Sequence, residues 1–249
     1  MKSKKKINNI HISIDDVINI WKDLTFNQDR YNSIFCNKNL SFLRELHNKY
    51  RVTIRLFCFY RSGSFSLRDV TSKFADELAA NNDWLKFGFH SLNEETDYKK
   101  AIGIKAKKDY ERTIEELIRI TGNYYCIDRY PRLHRYNANL ECVLAMQGAK
   151  HGIRGLLCAE DSRRNYYLDN RQNKLLNRRK RWNDEVNEIR FIKTSLRVEN
   201  RLSYQIGFWK VKYAPNLFFN KMILIFTHEN NLNDLVIRKK FSNLLDILM

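Results

Sequence analysis

Proline and glycine are scarce, with two and eight residues in a chain of 249. That excludes a collagen-like or Pro/Gly-rich low-complexity chain, and no Pro-, Gly- or Ser-rich linker divides the sequence. The five cysteines have irregular spacing and no CxxC pair. They offer neither a disulfide framework nor a zinc-ribbon pattern. Cys58, Cys126, Cys142 and Cys158 sit in apolar surroundings and read as buried thiols, which suits a reducing cytoplasm. No apolar run is long enough to cross a bilayer, so no transmembrane segment is expected. Residues 1–6 are basic, but no continuous apolar region follows them, so no signal peptide is expected.

Acidic residues are also few: 28 against 45 Lys and Arg, a net charge of +17. Such a charge attracts something anionic. The densest basic run, Arg178-Arg179-Lys180-Arg181, ends a polar stretch that starts at Arg163. Aromatic residues are thin there and no nucleic-acid-binding motif is visible. A salt-sensitive nucleic-acid binder is therefore the least favoured function class, and no nucleic-acid partner is expected.

What the chain does have is strands that end in chemistry. Apolar residues alternate through Ile10, Ile12 and Ile14, and the run closes on Asp15-Asp16. Period-2 alternation predicts a strand. Adjacent carboxylates at its end suit a helix cap, or a metal site in which one acid binds the ion and the other acts as a base. Further β-prone runs cover residues 51–59, 83–90, 122–130, 153–158, 188–199 and 221–227. Helical patterns cover residues 39–50, 69–80, 107–120, 140–150 and 232–248. Seven strands, mostly separated by helices, predict an α/β fold with a parallel sheet, open or closed into a barrel. One domain over residues 1–249 is expected, with a basic polar insertion around 163–187 as its most irregular part.

Five strand ends carry polar groups: Asp15 and Asp16, His90, Arg132 and His134, Glu160 and Asp161, and His228. Active sites of α/β barrels are built at that end of the strands. Three of the six histidines fall just after β-prone runs. His11, His47 and His151 do not and read as structural.

The order Ser13-Ile14-Asp15-Asp16, Phe87-Gly88-Phe89-His90-Ser91, Arg132-Leu133-His134-Arg135-Tyr136 and Phe226-Thr227-His228 resembles the polysaccharide deacetylase family, the NodB-like carbohydrate esterases of family 4 type. It is most similar to a divergent branch found in O-antigen and capsule gene clusters. The resemblance implies a distorted (β/α)7 barrel. It implies a metal-dependent hydrolase that removes an N-acetyl or O-acetyl group from a sugar in bacterial surface polysaccharide metabolism. By the same resemblance Asp15 is the base, Asp16 and His90 are metal ligands, Arg132 orients the base and His228 protonates the leaving group. The family's second motif ends in a second histidine, and Glu94 stands in its place here. Either Glu94 or His134 is then the third ligand. His134 is preferred, because it shares strand parity with Arg132 and because two imidazoles with one carboxylate suit zinc. Glu160 and Asp161 are expected either to support a histidine or sugar hydroxyls, or to pair with Arg163 or Arg164. Trp182 and Trp209 are candidates for stacking on sugar rings, and Trp84 fits the core better. The basic run reads either as a solvated helix face or as part of an insertion at the mouth of the site, where it would steer an anionic substrate. The alternative function is a catalytically impaired, carbohydrate-binding pseudo-enzyme that retains the barrel.

Overall fold

A computed structural model of the chain describes residues 10–213 and 222–249. Residues 1–6 and the start of the last expected strand at Lys221 lie outside these. The chain begins with β1 (Ile10–Val17), α1 (Asn19–Phe26), α2 (Lys38–Tyr50) and β2 (Thr53–Phe59). A small hairpin, β3 (Arg61–Ser62) and β4 (Phe65–Ser66), leads to α3 (Ala75–Ala80) and β5 (Leu85–Ser91). Then come α4 (Gly103–Thr121), α5 (Leu140–Gln147), β6 (Gly155–Cys158) and α6 (Asn170–Arg179). The chain finishes with β7 (Arg181–Asp184), β8 (Ile189–Lys193), β9 (Leu196–Arg197), α7 (Arg201–Tyr213), β10 (Ile223–His228) and α8 (Leu235–Leu248). No helix among the described residues is long and apolar enough to cross a membrane.

Five strands pair in the order β5-β2-β1-β10-β9, all in parallel. A second sheet has the order β6-β8-β7, with β6 and β8 parallel and β7 antiparallel to β8. Two seams join the sheets. At one, the Asp128 N–H donates to the Phe87 carbonyl at 2.7 Å, while the Arg154 and Leu157 N–H groups donate to the carbonyls of Arg129 and Pro131 at 2.8 and 2.9 Å. At the other, the β8–β9 run crosses between sheets: the Thr194 N–H donates to the Cys158 carbonyl at 3.1 Å and the Ser195 N–H to the Leu224 carbonyl at 2.9 Å. Seven strand-like segments thus make one distorted circuit with the helices outside, an α/β fold of the distorted (β/α)7 type.

The seams explain two departures from the sequence reading. The strand expected over residues 122–130 is not a continuous ladder. Residues Tyr124–Cys126 form a 3-10 turn, closed by the Asn123 side chain accepting the Tyr125 N–H. Beyond it, the Asp128 carboxylate takes the Tyr130 N–H at 2.6 Å, and Pro131 has no N–H to give. The segment keeps the position of a strand but only part of its bonding. The basic insertion, conversely, is regular. Asp169 and Gln172 form a capping box for α6, and β7 pairs back onto β8.

Outward-facing Ile10, Ile12 and Ile14 of β1 are buried under the helices, while the alternate residues face the barrel interior. A small apolar cluster of Phe57, Leu157, Ile192 and Leu224 occupies part of that interior. Buried Cys58, Cys126, Cys142 and Cys158 are free thiols, as is exposed Cys36.

Two turns of the β1 alternation before Asp15, His11 meets a half-buried ion pair. Arg55 donates to Asp128 and to His11 Nδ1. Burial first, and the adjacent Arg55 charge second, lower the His11 pKa to about 4. Folded protein therefore keeps His11 neutral where unfolded chain would protonate it. The stability this confers is complete above the ordinary histidine pKa and is lost as pH falls from about 6.5 towards 4, by at most roughly 3 kcal/mol. His11→Gln is expected to flatten this acid-side loss in urea unfolding measured at pH 7 and pH 4.5. An unchanged pH slope would rule His11 out as its source.

Candidate active site

The two acids that close β1 are adjacent, so a regular strand would send them to opposite faces. The pairing with β2 shifts register between Ile14 and Val17, and Asp16 adopts a left-handed backbone with φ of 60°. Aspartate tolerates that conformation better than most residues, and such strain gathers at functional sites. The irregularity lets both carboxylates serve one site. Asp15 lies opposite His228 in the β1–β10 register.

His90, at the end of β5, places Nδ1 2.5 Å from the Arg132 carbonyl oxygen. A carbonyl only accepts, so Nδ1 carries the proton and Nε2 presents a lone pair. That lone pair lies 3.0 Å from Asp16 Oδ1 and 3.2 Å from His134 Nδ1. His134 Nδ1 is 3.5 Å from Asp16 Oδ1. Asp16 Oδ1 and His134 Nε2 are buried and receive no hydrogen bond among the described residues. Three acceptor-capable atoms converging without enough protons between them call for a cation. Zinc bonds of ~2.0–2.2 Å in tetrahedral geometry place neighbouring donor atoms about 3.3–3.6 Å apart. The three separations, 3.0, 3.2 and 3.5 Å, are close to one face of that tetrahedron. The three residues are thus a possible divalent-metal site. Burial opposes ionisation of Asp16, but its contacts with His134 and His90 prevail and hold its carboxyl well below the ordinary carboxylate range.

The loop that delivers His134 is sharply turned: Arg135 and Tyr136 both have φ of 56°. Tyr136 is buried, and its carbonyl accepts the Tyr166 N–H at 2.7 Å, which ties the turn down. Phe59 packs edge-on against both imidazoles, with centroids 5.2 and 5.3 Å away.

Arg132 is 1% exposed. Its guanidinium donates from Nη1 to Asp15 Oδ1 and Ser13 Oγ, both at 2.8 Å, and from Nη2 to Thr194 Oγ1 at 2.9 Å. It also lies over the Phe226 ring at 4.2 Å. Burial works against its charge, but the Asp15 carboxylate outweighs that and raises its pKa. On the other side, His228 Nδ1 is 2.6 Å from Glu199 Oε1, and its Nε2 is 3.9 Å from Asp16 Oδ2. Burial disfavours the imidazolium, yet Glu199, aided by Asp15 and Asp16, raises the His228 pKa. The next residue, Glu229, is 1% exposed and caps α1, accepting the N–H groups of Ile18, Asn19 and Ile20 at 2.6–3.1 Å. This clamp fixes the end of β10 against the end of β1.

Asp15, Asp16, His90, Arg132, His134 and His228 are therefore brought together. Glu94 is exposed and is not one of the three clustered residues. Asp161 forms the surface pair with Arg163, at 2.6 Å. Trp84 is buried and stacked on His47 at 4.5 Å, Trp182 packs on Phe191 at 5.5 Å, and Trp209 lies exposed on α7. Arg179, Lys180 and Arg181 border a separate cavity beneath α7. Sequence reasoning missed Ser13, Thr194, Glu199 and Glu229. A Glu directly after His228 was visible, but nothing local marks Glu199 as its neighbour's partner.

No protein-family model matches the chain, and no curated protein matches it by sequence. Solved structures do. A candidate polysaccharide deacetylase from Mycobacterium smegmatis superposes with TM-score 0.55 at 10% identity, over 98% of this chain and 86% of that one. A candidate polysaccharide deacetylase involved in O-antigen biosynthesis, from Bordetella bronchiseptica, gives TM-score 0.47 at 10% identity, over 98% of this chain and 92% of that one. At such identity the likeness is one of architecture, and the chain has the α/β fold of the Mycobacterium smegmatis protein.

Proposed function

We propose that this protein is a metal-dependent hydrolase that removes an acetyl group, from nitrogen or oxygen, from a sugar of bacterial surface polysaccharide metabolism. The observation that carries the reading is the triangle of Asp16 Oδ1, His90 Nε2 and His134 Nδ1 beside the buried Asp15–Arg132 pair. Two imidazoles and one carboxylate favour zinc among divalent ions. When bound, zinc supplies Lewis acidity, polarising an acyl carbonyl and acidifying water at its open position.

The remaining work falls to the chain. Asp15 removes a proton from the attacking water, and Arg132 holds that carboxylate ionised and aimed. His228 protonates the departing sugar nitrogen or oxygen. Glu199 keeps Nδ1 of His228 engaged, so that Nε2 faces the site. Incubation of the zinc-loaded protein with N-acetylated and O-acetylated sugars, free, nucleotide-linked and polymeric, tests the reading through acetate release. Absence of acetate from every class at full metal occupancy would contradict it.

Glu199 gives this scheme a pH signature. Its carboxylate favours the imidazolium, so Glu199→Gln lowers the His228 pKa. The acid form is then lost at lower pH, and the alkaline limb of the kcat/KM profile is expected to move down. A limb that stays in place would assign it to another group.

A further inference from the structure

A cavity of about 920 Å³ lies on the far side of Thr194, enclosed by the β8–β9 run, the start of β10, α7 and α8. Its walls are apolar over most of their area, with Ile192, Leu196, Ile206, Val211, Leu244 and Leu248 among them. No residue of the Asp16–His90–His134 group lines it. Such a volume is within the usual range of ligand sites. Its charges are one-sided. Arg179, Lys180, Arg181, Lys193 and Lys210 border it, against Glu160 and Asp161. Asp161 is engaged by Arg163 at 2.6 Å, and Lys193 Nζ is turned inward to Asn177 Oδ1 at 2.6 Å. Arg179, Arg181 and Lys210 are exposed.

The helix over the cavity adds a second observation. Leu202, Ile206, Trp209 and Tyr213 recur at helical spacing along α7 and are 66, 45, 63 and 60% exposed. They form an unburied apolar stripe, of which Leu202 and Ile206 also border the cavity. An apolar stripe carrying Trp and Tyr, with Arg201, Lys210 and Lys212 on the same helix, has the chemistry of a helix lying at an anionic lipid interface.

We infer that this cavity binds the hydrocarbon chain of an anionic amphiphile, whose phosphate or carboxylate head is held at the mouth by Arg179, Arg181 and Lys210. Apolar walls take the chain, and the exposed guanidinium and ammonium groups select the head. The exposed stripe favours a bilayer as the source. The inference goes beyond the deacetylase reading, and none of the residues it assigns to the chain or the head belongs to that site, although Thr194 borders both.

Calorimetry with dodecyl phosphate below its micelle concentration tests the site, with dodecyl maltoside as the neutral-headed control. Saturable binding of the phosphate, at least about ten-fold tighter than the maltoside, is expected. The triple variant Arg179→Glu/Arg181→Glu/Lys210→Glu should lose about ten-fold or more for the phosphate alone. Ile206→Glu, on the exposed helix, should weaken both amphiphiles while circular dichroism stays unchanged. Flotation with phosphatidylcholine vesicles, with and without phosphatidylglycerol, separates the sources. Capture by the anionic vesicles that Ile206→Glu abolishes assigns a bilayer lipid, and binding of the monomeric phosphate without capture assigns a free amphiphile. Equal affinity for both heads, no binding of dodecyl phosphate, or vesicle capture indifferent to Ile206→Glu would overturn the inference.

Discussion

Asp15→Asn is expected to lower turnover by ~10²–10⁴-fold while leaving bound metal at the wild-type level, the usual range for loss of a positioned general base. The carboxylate is 2% exposed, and Arg132 Nη1 donates to it at 2.8 Å. An amide keeps the shape and accepts the same hydrogen bond, but it takes no proton from water. Asp16, the proposed ligand, is untouched, so elemental analysis separates loss of the base from loss of the ion. Stability must be followed too, because Asn leaves the buried Arg132 charge less compensated. An Asp15→Asn protein that is folded, metal-loaded and as active as wild type would place the base elsewhere.

Arg132→Met should produce the largest effect on the fold. The side chain spans the barrel interior between Ser13, Asp15 and Thr194, with the Phe226 ring against it. Met replaces the aliphatic stem but leaves Asp15 as a buried carboxylate without its cation. Breaking a buried ion pair from one side costs about 3–5 kcal/mol, chiefly through the uncompensated charge. Urea unfolding reads this directly. The double variant Asp15→Asn/Arg132→Met removes both charges and is expected to recover part of the loss, giving a positive coupling in the double-mutant cycle. Additive losses would mean that the two groups do not depend on each other.

The sequence made the strand ends legible because burial imposes period 2 on β1, and because two acids after Ile14 have no place in an apolar core. His90, Arg132, His134 and His228 followed from the same logic. The bulge at Asp16 was not legible. Its left-handed backbone depends on how β2 registers against β1, which no local pattern reports. Ser13 and Thr194 read as ordinary strand residues, yet they hold the guanidinium of a residue 119 and 62 positions away. Glu199 sat inside a run read as strand, and it reaches His228 only because β9 lies beside β10. The segment after Gly122 has β-forming residues but spends its hydrogen bonds on Asn123 and Asp128 side chains. The insertion looked irregular because its helix is polar apart from Leu175 and Leu176, whereas the cap at Asp169 and the hairpin onto β8 make it regular. Glu94 had the family's spacing on its side, but it stays exposed.

The central claim is that Asp16, His90 and His134 together hold one divalent ion. Anomalous diffraction from crystals grown with zinc, recorded on both sides of the zinc edge, measures this directly. The account predicts a single strong peak about 2.0–2.2 Å from Asp16 Oδ1, His90 Nε2 and His134 Nδ1. A peak ligated by Glu94 in place of His134, or no peak among these three residues at full zinc, would contradict it.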